Sequence, residues 1–473
     1  MTDRPLLRVR HVQFFERDVR LRLPFRFGVV TLTEAPQVFV RARIRTKDGR
    51  EGWGVAAEML APKWFDKSPD LTNEQNFDQL RTSLAVARRQ MIAAAEATPF
   101  GLSAAVEASV HEECAKRQLG GLVASFGLAL LDRAILDALG RLETRTIFQL
   151  VQENRFGLTD ATAPDIAGFD LDRFLTGLRP ARTIHARHTV GLVDALTKAE
   201  TGQRLNDGLP ESLEEAISAY GHRYFKLKVG GDLKADIDRL SRIAAVLDLA
   251  PEPYFATFDG NEQFHDIEGV SALWRRIGEE PRLARMKSSI LFIEQPIARS
   301  AALEKSVAEL ADEIPLEIDE SDADIGVFPR ARELGYRGIS SKACKGFYRA
   351  LLNRARVEKW KAGGAGHFFM SAEDLTTQSG VAVQQDLAQA LLIGATHVER
   401  NGHHYVDGMA GAPAAEQEAF LSAHPDLYKR ENGRVRLAIR NGQLALGSLH
   451  ETAGLATGPM PDFSAMTESV PKE

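Results

Sequence analysis

Eight short apolar runs, each followed by an amphipathic stretch, fill residues 183–402, and this alternation restricts the fold more than anything else in the chain. The runs fall at 183–190, 223–229, 254–259, 290–294, 316–319, 338–342, 368–373 and 396–399. Between them, apolar residues recur at helical spacing. Leu233, Ile237, Leu240, Ala244 and Leu247 follow the second run, and Ile267, Val270, Trp274 and Ile277 follow the third. Strand–helix alternation of this kind builds parallel sheets in α/β proteins. Eight units in about 220 residues suit a (β/α)8, TIM-like barrel, whose usual size is about 250 residues. A doubly wound open sheet has the same alternation, and periodicity alone leaves it open.

The flanking segments differ in character. Residues 8–60 read as β-rich, with alternation over 38–44, a turn at Lys47-Asp-Gly49 and a Gly52-Trp-Gly54 run beyond it. Residues 73–154 read as helical, with Asp132, Arg133 and Asp137 on a helical period in a Leu- and Ala-rich stretch and Asp132 and Asp137 as ordinary polar positions. Residues 155–182 carry Gly, Pro and Asp clusters and read as a loop or small insertion. Residues 413–473 hold a further β piece around Arg434-Val-Arg-Leu437, with Asn441-Gly442 as a turn, expected to pack back on the N-terminal region.

The 59 Lys and Arg against 65 Asp and Glu leave a net charge of −6, which argues against a nucleic-acid or anionic-membrane partner held by a basic face. The longest strongly apolar stretch, 119–131, is shorter than the ~20 residues a membrane span needs. The N-terminus shows no export signal. Two cysteines, Cys114 and Cys344, make neither a disulfide framework nor a Cys-only zinc site. A cytoplasmic protein is the expectation.

The apolar runs end on ionisable residues. Lys226 and Lys228 share one face of the second strand. The third ends at Asp259 with Asn261 beyond, the fourth at Glu294, the fifth at Asp319-Glu320, the sixth at Lys342 and the seventh at Glu373. In a barrel, side chains at the C-terminal strand ends converge on one site. Three converging carboxylates stay ionised together only around a cation. Oxygen donors from Asp259, Glu294 and Asp319 suit Mg²⁺, with Mn²⁺ as an alternative, and a His/Cys zinc set is absent there. Strands two and six lie opposite one another in a ring of eight, so Lys228 and Lys342 would reach opposite faces of one substrate. A lysine titrates near ~10.4, and a neighbouring cation such as Lys226 or the metal lowers it toward use as a base. That is equipment for carbon-acid chemistry.

These residues resemble the enolase superfamily, in its mandelate racemase/muconate lactonizing enzyme branch. Lys226-Leu-Lys228 is similar to its Lys-x-Lys strand, Asp259-Gly-Asn261 to its Asp-x-Asn, Ile293-Glu294-Gln295-Pro296 to its Glu-Gln-Pro, and Asp319-Glu320-Ser321 to its Asp-Glu-Ser. Ser341-Lys342 matches the sixth-strand lysine and Glu373 the seventh-strand Glu. The resemblance implies Asp259, Glu294 and Asp319 as metal ligands, Lys228 and Lys342 as acid/base catalysts, Lys226 as the residue tuning Lys228, and Asn261, Glu320 and Glu373 as supporting or substrate-binding residues. It also implies an α+β capping domain at 1–182, a catalytic barrel at 183–412, and a segment at 413–473 that packs on the cap. The expected activity is Mg²⁺-dependent removal of a proton α to a carboxylate through a metal-stabilised enolate, as in a racemase, epimerase or cycloisomerase. A homo-oligomer acting on a small carboxylate is expected.

Departures from the family pattern narrow this. The chain is longer than usual, with extra material near 60–120 and 155–182. The eighth strand ends His397-Val-Glu-Arg-Asn401 and lacks the Asp-x-Asp of dipeptide epimerases. An acid-sugar dehydratase would need a His and an Asp where Glu373 and Lys342 stand. A non-catalytic metal-binding barrel is the rival from another class. Substrate choice is expected to lie in segments 23–31 and 54–67, with Arg26, Trp64 and Phe65 lining a pocket. Lys345 and Glu320 read as neighbours of catalysts rather than catalysts, Glu373 equally as a cap or surface ion pair, and Cys344 as a small buried hydrophobe. His403-His404 read as loop surface.

Overall fold

Apolar–polar alternation near the N-terminus makes one long hairpin. In the computed structural model, which describes residues 4–27, 30–250, 252–364 and 366–469, β1 (Leu7–Phe27) pairs antiparallel with β2 (Val30–Thr46), from Leu7 opposite Thr46 to Phe27 opposite Val30. β3 (Glu51–Met59) extends the sheet antiparallel to β2. Three helices cover it: α1 (Asn73–Ala93), α2 (Pro99–Lys116) and α3 (Gly121–Glu143). Their starts follow local rules. Thr72 and Gln75 form a reciprocal capping box at α1, and Thr98 caps α2 with Pro99 in its first turn.

Apolar on all sides, α3 is buried over residues 122–140, as such a helix must be. Two glycines let it in. A Cβ at Gly54 of β3 would stand 2.2 Å from the backbone of Ala134 and Ala138, and one at Gly127 of α3 would stand 2.3 Å from the Ser83 carbonyl of α1. Both positions exclude any side chain.

Asp132 and Asp137 are not ordinary polar positions, because both are buried. Asp132 accepts from Ser103 Oγ at 2.8 Å. Asp137 accepts from the backbone N–H of Val55 in β3 at 3.0 Å and of Leu455 near the C-terminus at 2.9 Å, and from Arg141 Nε at 2.7 Å. It supplies an acceptor to two backbone donors that have no strand partner at that point. Asp137→Ala should therefore cost about 4 kcal/mol, roughly 1–3 per orphaned donor, measured as a lower denaturant midpoint with unchanged slope. A loss below about 1 kcal/mol would show that water replaces the carboxylate.

The eight expected strands form within a few residues of their expected bounds: β4 (Thr183–Val190), β5 (Tyr224–Lys228), β6 (Phe255–Asp259), β7 (Ile290–Glu294), β8 (Leu316–Ile318), β9 (Gly338–Ser341), β10 (Phe369–Ala372) and β11 (His397–Arg400). All pair in parallel, in the order β10-β9-β8-β7-β6-β5-β4-β11. The sheet curls so that its two ends meet at side-chain level: Arg187 of β4 donates to Ala372 O at 3.3 Å from beside β10 and contacts His397 of β11 at 2.8 Å. The intervening helices bury their expected faces, except at two helix starts, where Leu233 stays 41% exposed and Ile267 half-buried.

The C-terminal region differs from expectation in detail. β13 (Arg434–Leu437) pairs with β12 (Tyr428–Glu431), not with the N-terminal sheet. Asn441 and Gly442 do turn the chain, both at positive φ, and send β14 (Gln443–Ala445) antiparallel along β4. Only the last strand, β15 (Thr467–Ser469), returns to β1, opposite residues 14–16. Among the described residues, no helix is long and apolar enough to cross a membrane.

Candidate active site

A half-open cavity lies where the C-terminal ends of the parallel strands face the N-terminal layer. Phe25, Leu32, Ala61 and Trp64 wall it on one side, and Lys228, Asp259, Asp319 and Lys342 on the other. Parallel pairing in register puts the ends of neighbouring strands level, so Lys228 sits beside Asp259 and Asp259 beside Glu294.

Lys226 stands at the centre, 1% exposed. Its Nζ is 2.8 Å from Asp259 Oδ2, 2.8 Å from Glu294 Oε2, 2.8 Å from Glu373 Oε2 and 3.2 Å from Glu399 Oε2. Burial opposes its charge, but the four carboxylates outweigh that and hold its pKa well above the ordinary lysine value. Lys228 donates to Asp259 Oδ2 and to Asn261 Oδ1, each at 2.6 Å. One oxygen of Asp259 thus lies between the two ammonium groups. Lys342 reaches Asp319 Oδ2 at 3.0 Å and sits 5.1 Å from the Trp64 ring centre. A lowered lysine pKa was expected. For Lys342 burial does push down, yet Asp319, helped by Glu373 and Glu294, carries it above the ordinary range.

Asp319 is held well below the usual carboxylate range: burial opposes this, and Lys342 and Lys345 override it. Lys345 lies 3.0 Å from Asp319 Oδ1 and also donates to the Asp319 and Ser340 carbonyls, so it props this carboxylate from behind. Gln295, next to Glu294, accepts from the Asp319 and Ser321 N–H groups at 2.8 and 3.1 Å, tying the end of β7 to the end of β8. Glu294 goes the other way. Burial and the charges of Asp259 and Glu373 push its pKa well up.

Several expectations need correction. Arg26 is exposed and lines nothing here; alternation along β1 turns Phe25 inward instead. Gly28 and Val29 of the same segment lie outside the described residues. Phe65 packs between Trp64 and Phe126, and does not wall this cavity. Glu373 is neither cap nor surface pair: fully buried, it bonds Lys226, Arg187 and Ser371. Glu320 accepts from Asn261 Nδ2 at 3.2 Å and pairs with Lys67 at 3.4 Å. His403 and His404 are buried in a short helix, Gly402–Tyr405, against β4 rather than on a surface loop.

Sequence reasoning missed four residues. Glu399, one residue before the end of the eighth strand, joins Lys226, a role outside the Asp-x-Asp pattern. Glu317, inside β8, shares Ser371 with Glu373, and burial with the Glu373 charge raises its pKa to about 8. The carboxylates of Glu294, Glu317 and Glu373 have oxygens within 4.8 Å of one another, closer as a group than the expected trio. Lys67 donates to Asn261 O at 2.8 Å, and Arg299 to Trp64 O at 2.8 Å and Phe65 O at 2.9 Å. Those two cations bind the Trp64 segment to the strand ends. No periodicity marks such contacts, which join residues some two hundred positions apart.

No protein-family model matches the chain, and no curated protein is similar to it in sequence. Solved structures are similar. A dipeptide epimerase from Enterococcus faecalis V583, complexed with Mg and the dipeptide L-Leu-L-Tyr, has a TM-score of 0.59 at 15% identity, over 95% of this chain and 99% of its own. An enolase from Bradyrhizobium, complexed with magnesium and mandelic acid, has 0.59 at 18%, over 98% of both chains. A muconate lactonizing enzyme from Pseudomonas fluorescens, complexed with muconolactone, has 0.57 at 16%, over 97% and 98%. The chain has the enolase-superfamily fold.

Within that enolase-superfamily fold, Lys226, Lys228, Asp259, Asn261, Asp319 and Lys342 all reach one cavity, with Glu294 and Glu373 joined to it through Lys226. The neighbours cover nearly the full length, so the likeness takes in the N-terminal layer as well as the parallel sheet.

Proposed function

We propose that this chain is an enzyme that removes a proton α to the carboxylate of a small molecule, with Mg²⁺ or Mn²⁺ as its cofactor, in a closed (β/α)8 barrel. The reaction is of the racemase, epimerase or cycloisomerase type. One observation carries the reading: Lys228 and Lys342, from strands four apart in the sheet, line a single cavity with Asp259 and Asp319, and Glu294 of the strand between those two joins it through Lys226. The cap would comprise residues 1–182, the barrel 183–412, and the last segment 413–473.

The residues suit a divalent cation. Asp259, Glu294 and Asp319 are oxygen donors on adjacent strands, each at most 1% exposed. Burial, with Asp259 and Glu373 beside it, raises the Glu294 pKa, and a bound cation would offset both. Bound there, Mg²⁺ would polarise the substrate carboxylate and stabilise the negative charge left when the proton departs. The chain's own groups do the rest. Phe25, Leu32 and Trp64 exclude water over the substrate. Asp259 and Asn261 aim Lys228 from one side, and Asp319 and the Trp64 ring hold Lys342 on the other. A neutral lysine on one face takes the proton at Nζ, and in a racemase the ammonium on the other face returns one.

The test is hydrogen exchange. A library of α-substituted carboxylates is incubated with the protein in D₂O, with Mg²⁺ and with chelator, and followed by NMR. Mg²⁺-dependent deuterium uptake at the α-carbon of at least one compound is expected. Uptake by none across a broad library, from protein shown by calorimetry to bind Mg²⁺, would favour a metal-binding barrel without catalysis.

A further inference from the structure

Outside the barrel, on the face of β4 away from the cavity, four imidazoles are buried together. Arg187 and Thr189 of β4 point inward to Glu373 and Glu399, so His188 between them points out. There it meets His222, in the loop before β5, and His403 and His404 of the short helix after β11. The exposures of His188, His222, His403 and His404 are 2%, 4%, 7% and 3%.

We propose that His188, His222 and His403 form a second metal site, for a divalent transition-metal ion such as Zn²⁺. One nitrogen from each lies within 4.8 Å of those of the other two. His188 Nδ1 and His403 Nε2 are 3.2 Å apart, close to the ~3.3 Å between two ligands of a tetrahedral ion at about 2.0–2.1 Å. His222 is already oriented for the third position. Its Nδ1 faces the Ala186 carbonyl at 3.2 Å, which can only accept, so Nδ1 carries the proton and Nε2 keeps its lone pair. That Nε2 is buried and has no hydrogen-bond partner in the protein, a costly state unless something takes the lone pair. The His222 ring centre is 5.1 Å from those of both His188 and His403. Imidazole donors select Zn²⁺ and its neighbours over Mg²⁺, so this site and the acidic one would not share an ion.

The ion would tie β4 and the loop before β5 to residues 401–406. Asn401 lines the cavity, and Tyr405 packs on Phe25 with ring centres 4.4 Å apart. The site thus braces a wall of the candidate active site without entering it.

The experiment uses the full chain equilibrated with Zn²⁺ in saturating Mg²⁺, then dialysed. One Zn²⁺ per chain is expected, with X-ray absorption showing the outer-shell scattering of about three imidazoles. His222→Asn and His403→Gln, checked by circular dichroism for native secondary structure, should each lose the ion or hold it at least 10-fold more weakly. Glu294→Gln should keep it. Zinc that is absent, that shows carboxylate scattering only, or that survives both histidine variants overturns the proposal. The spectrum of the unaltered protein decides even if the variants fail to fold.

Discussion

Lys342→Ala should abolish α-proton exchange from one enantiomer of an accepted carboxylate and leave the other exchanging, and Lys228→Ala should do the reverse. On the proposed two-face arrangement, each loss should be at least about 10²–10⁴-fold, the usual worth of a positioned acid or base. The structure gives reason to expect that both variants fold. Without Lys342, Asp319 keeps Lys345 at 3.0 Å; without Lys228, Asp259 keeps Lys226 at 2.8 Å. Neither truncation strands a buried carboxylate, which is the outcome that makes breaking an ion pair so damaging. Deuterium uptake is followed by NMR for each enantiomer separately. Loss from both enantiomers in one variant, with mere slowing in the other, would point to a single base and a cycloisomerase. Full exchange from both enantiomers in either variant would refute the two-face arrangement.

The second large effect concerns the acidic group. Asp259→Asn, Glu294→Gln and Asp319→Asn should each weaken Mg²⁺ binding in calorimetry and reduce turnover at least about 10²-fold, since removal of an electrostatic stabiliser at the reacting centre typically costs 10²–10³. The three should differ in stability. Glu294 is crowded by Asp259 and Glu373 in a fully buried setting, so Glu294→Gln relieves repulsion and should leave the metal-free protein as stable as before, or more so. Asp319→Asn leaves Lys342 and Lys345 facing an uncharged amide and should destabilise it. Unchanged Mg²⁺ affinity in all three variants would reject this ligand set. If only Glu294→Gln weakens binding, the closer group of Glu294, Glu317 and Glu373 becomes the place to look, and Glu317→Gln tests it.

Legibility followed the range of the interactions involved. The strand ends at Lys228, Asp259, Glu294, Asp319 and Lys342 could be read because a parallel sheet in register brings successive strand ends to one level. Arg26 was misplaced because adjacent strand positions face opposite ways, and a local reading of the segment does not say which faces in. Asp132 and Asp137 looked ordinary because their partners, Ser103, Val55 and Leu455, are remote in sequence. His188, His222 and His403 show no ligand spacing along the chain; they meet because β4 pairs with both β5 and β11.

The sequence by itself determined the alternation of strands and helices, the placement of one ionisable residue per strand end, and the starts of α1 and α2. Each follows from periodicity, capping chemistry or strand geometry, all of which act within a few residues. Only the tertiary structure decided which charges neutralise which: that Lys226 serves four carboxylates, that Glu399 and Glu317 join them, and that Lys67 and Arg299 fasten the Trp64 segment over the cavity. In a water-excluded interior a charge is tolerated only beside its partner, and the curl of the sheet, not position along the chain, sets who that partner is.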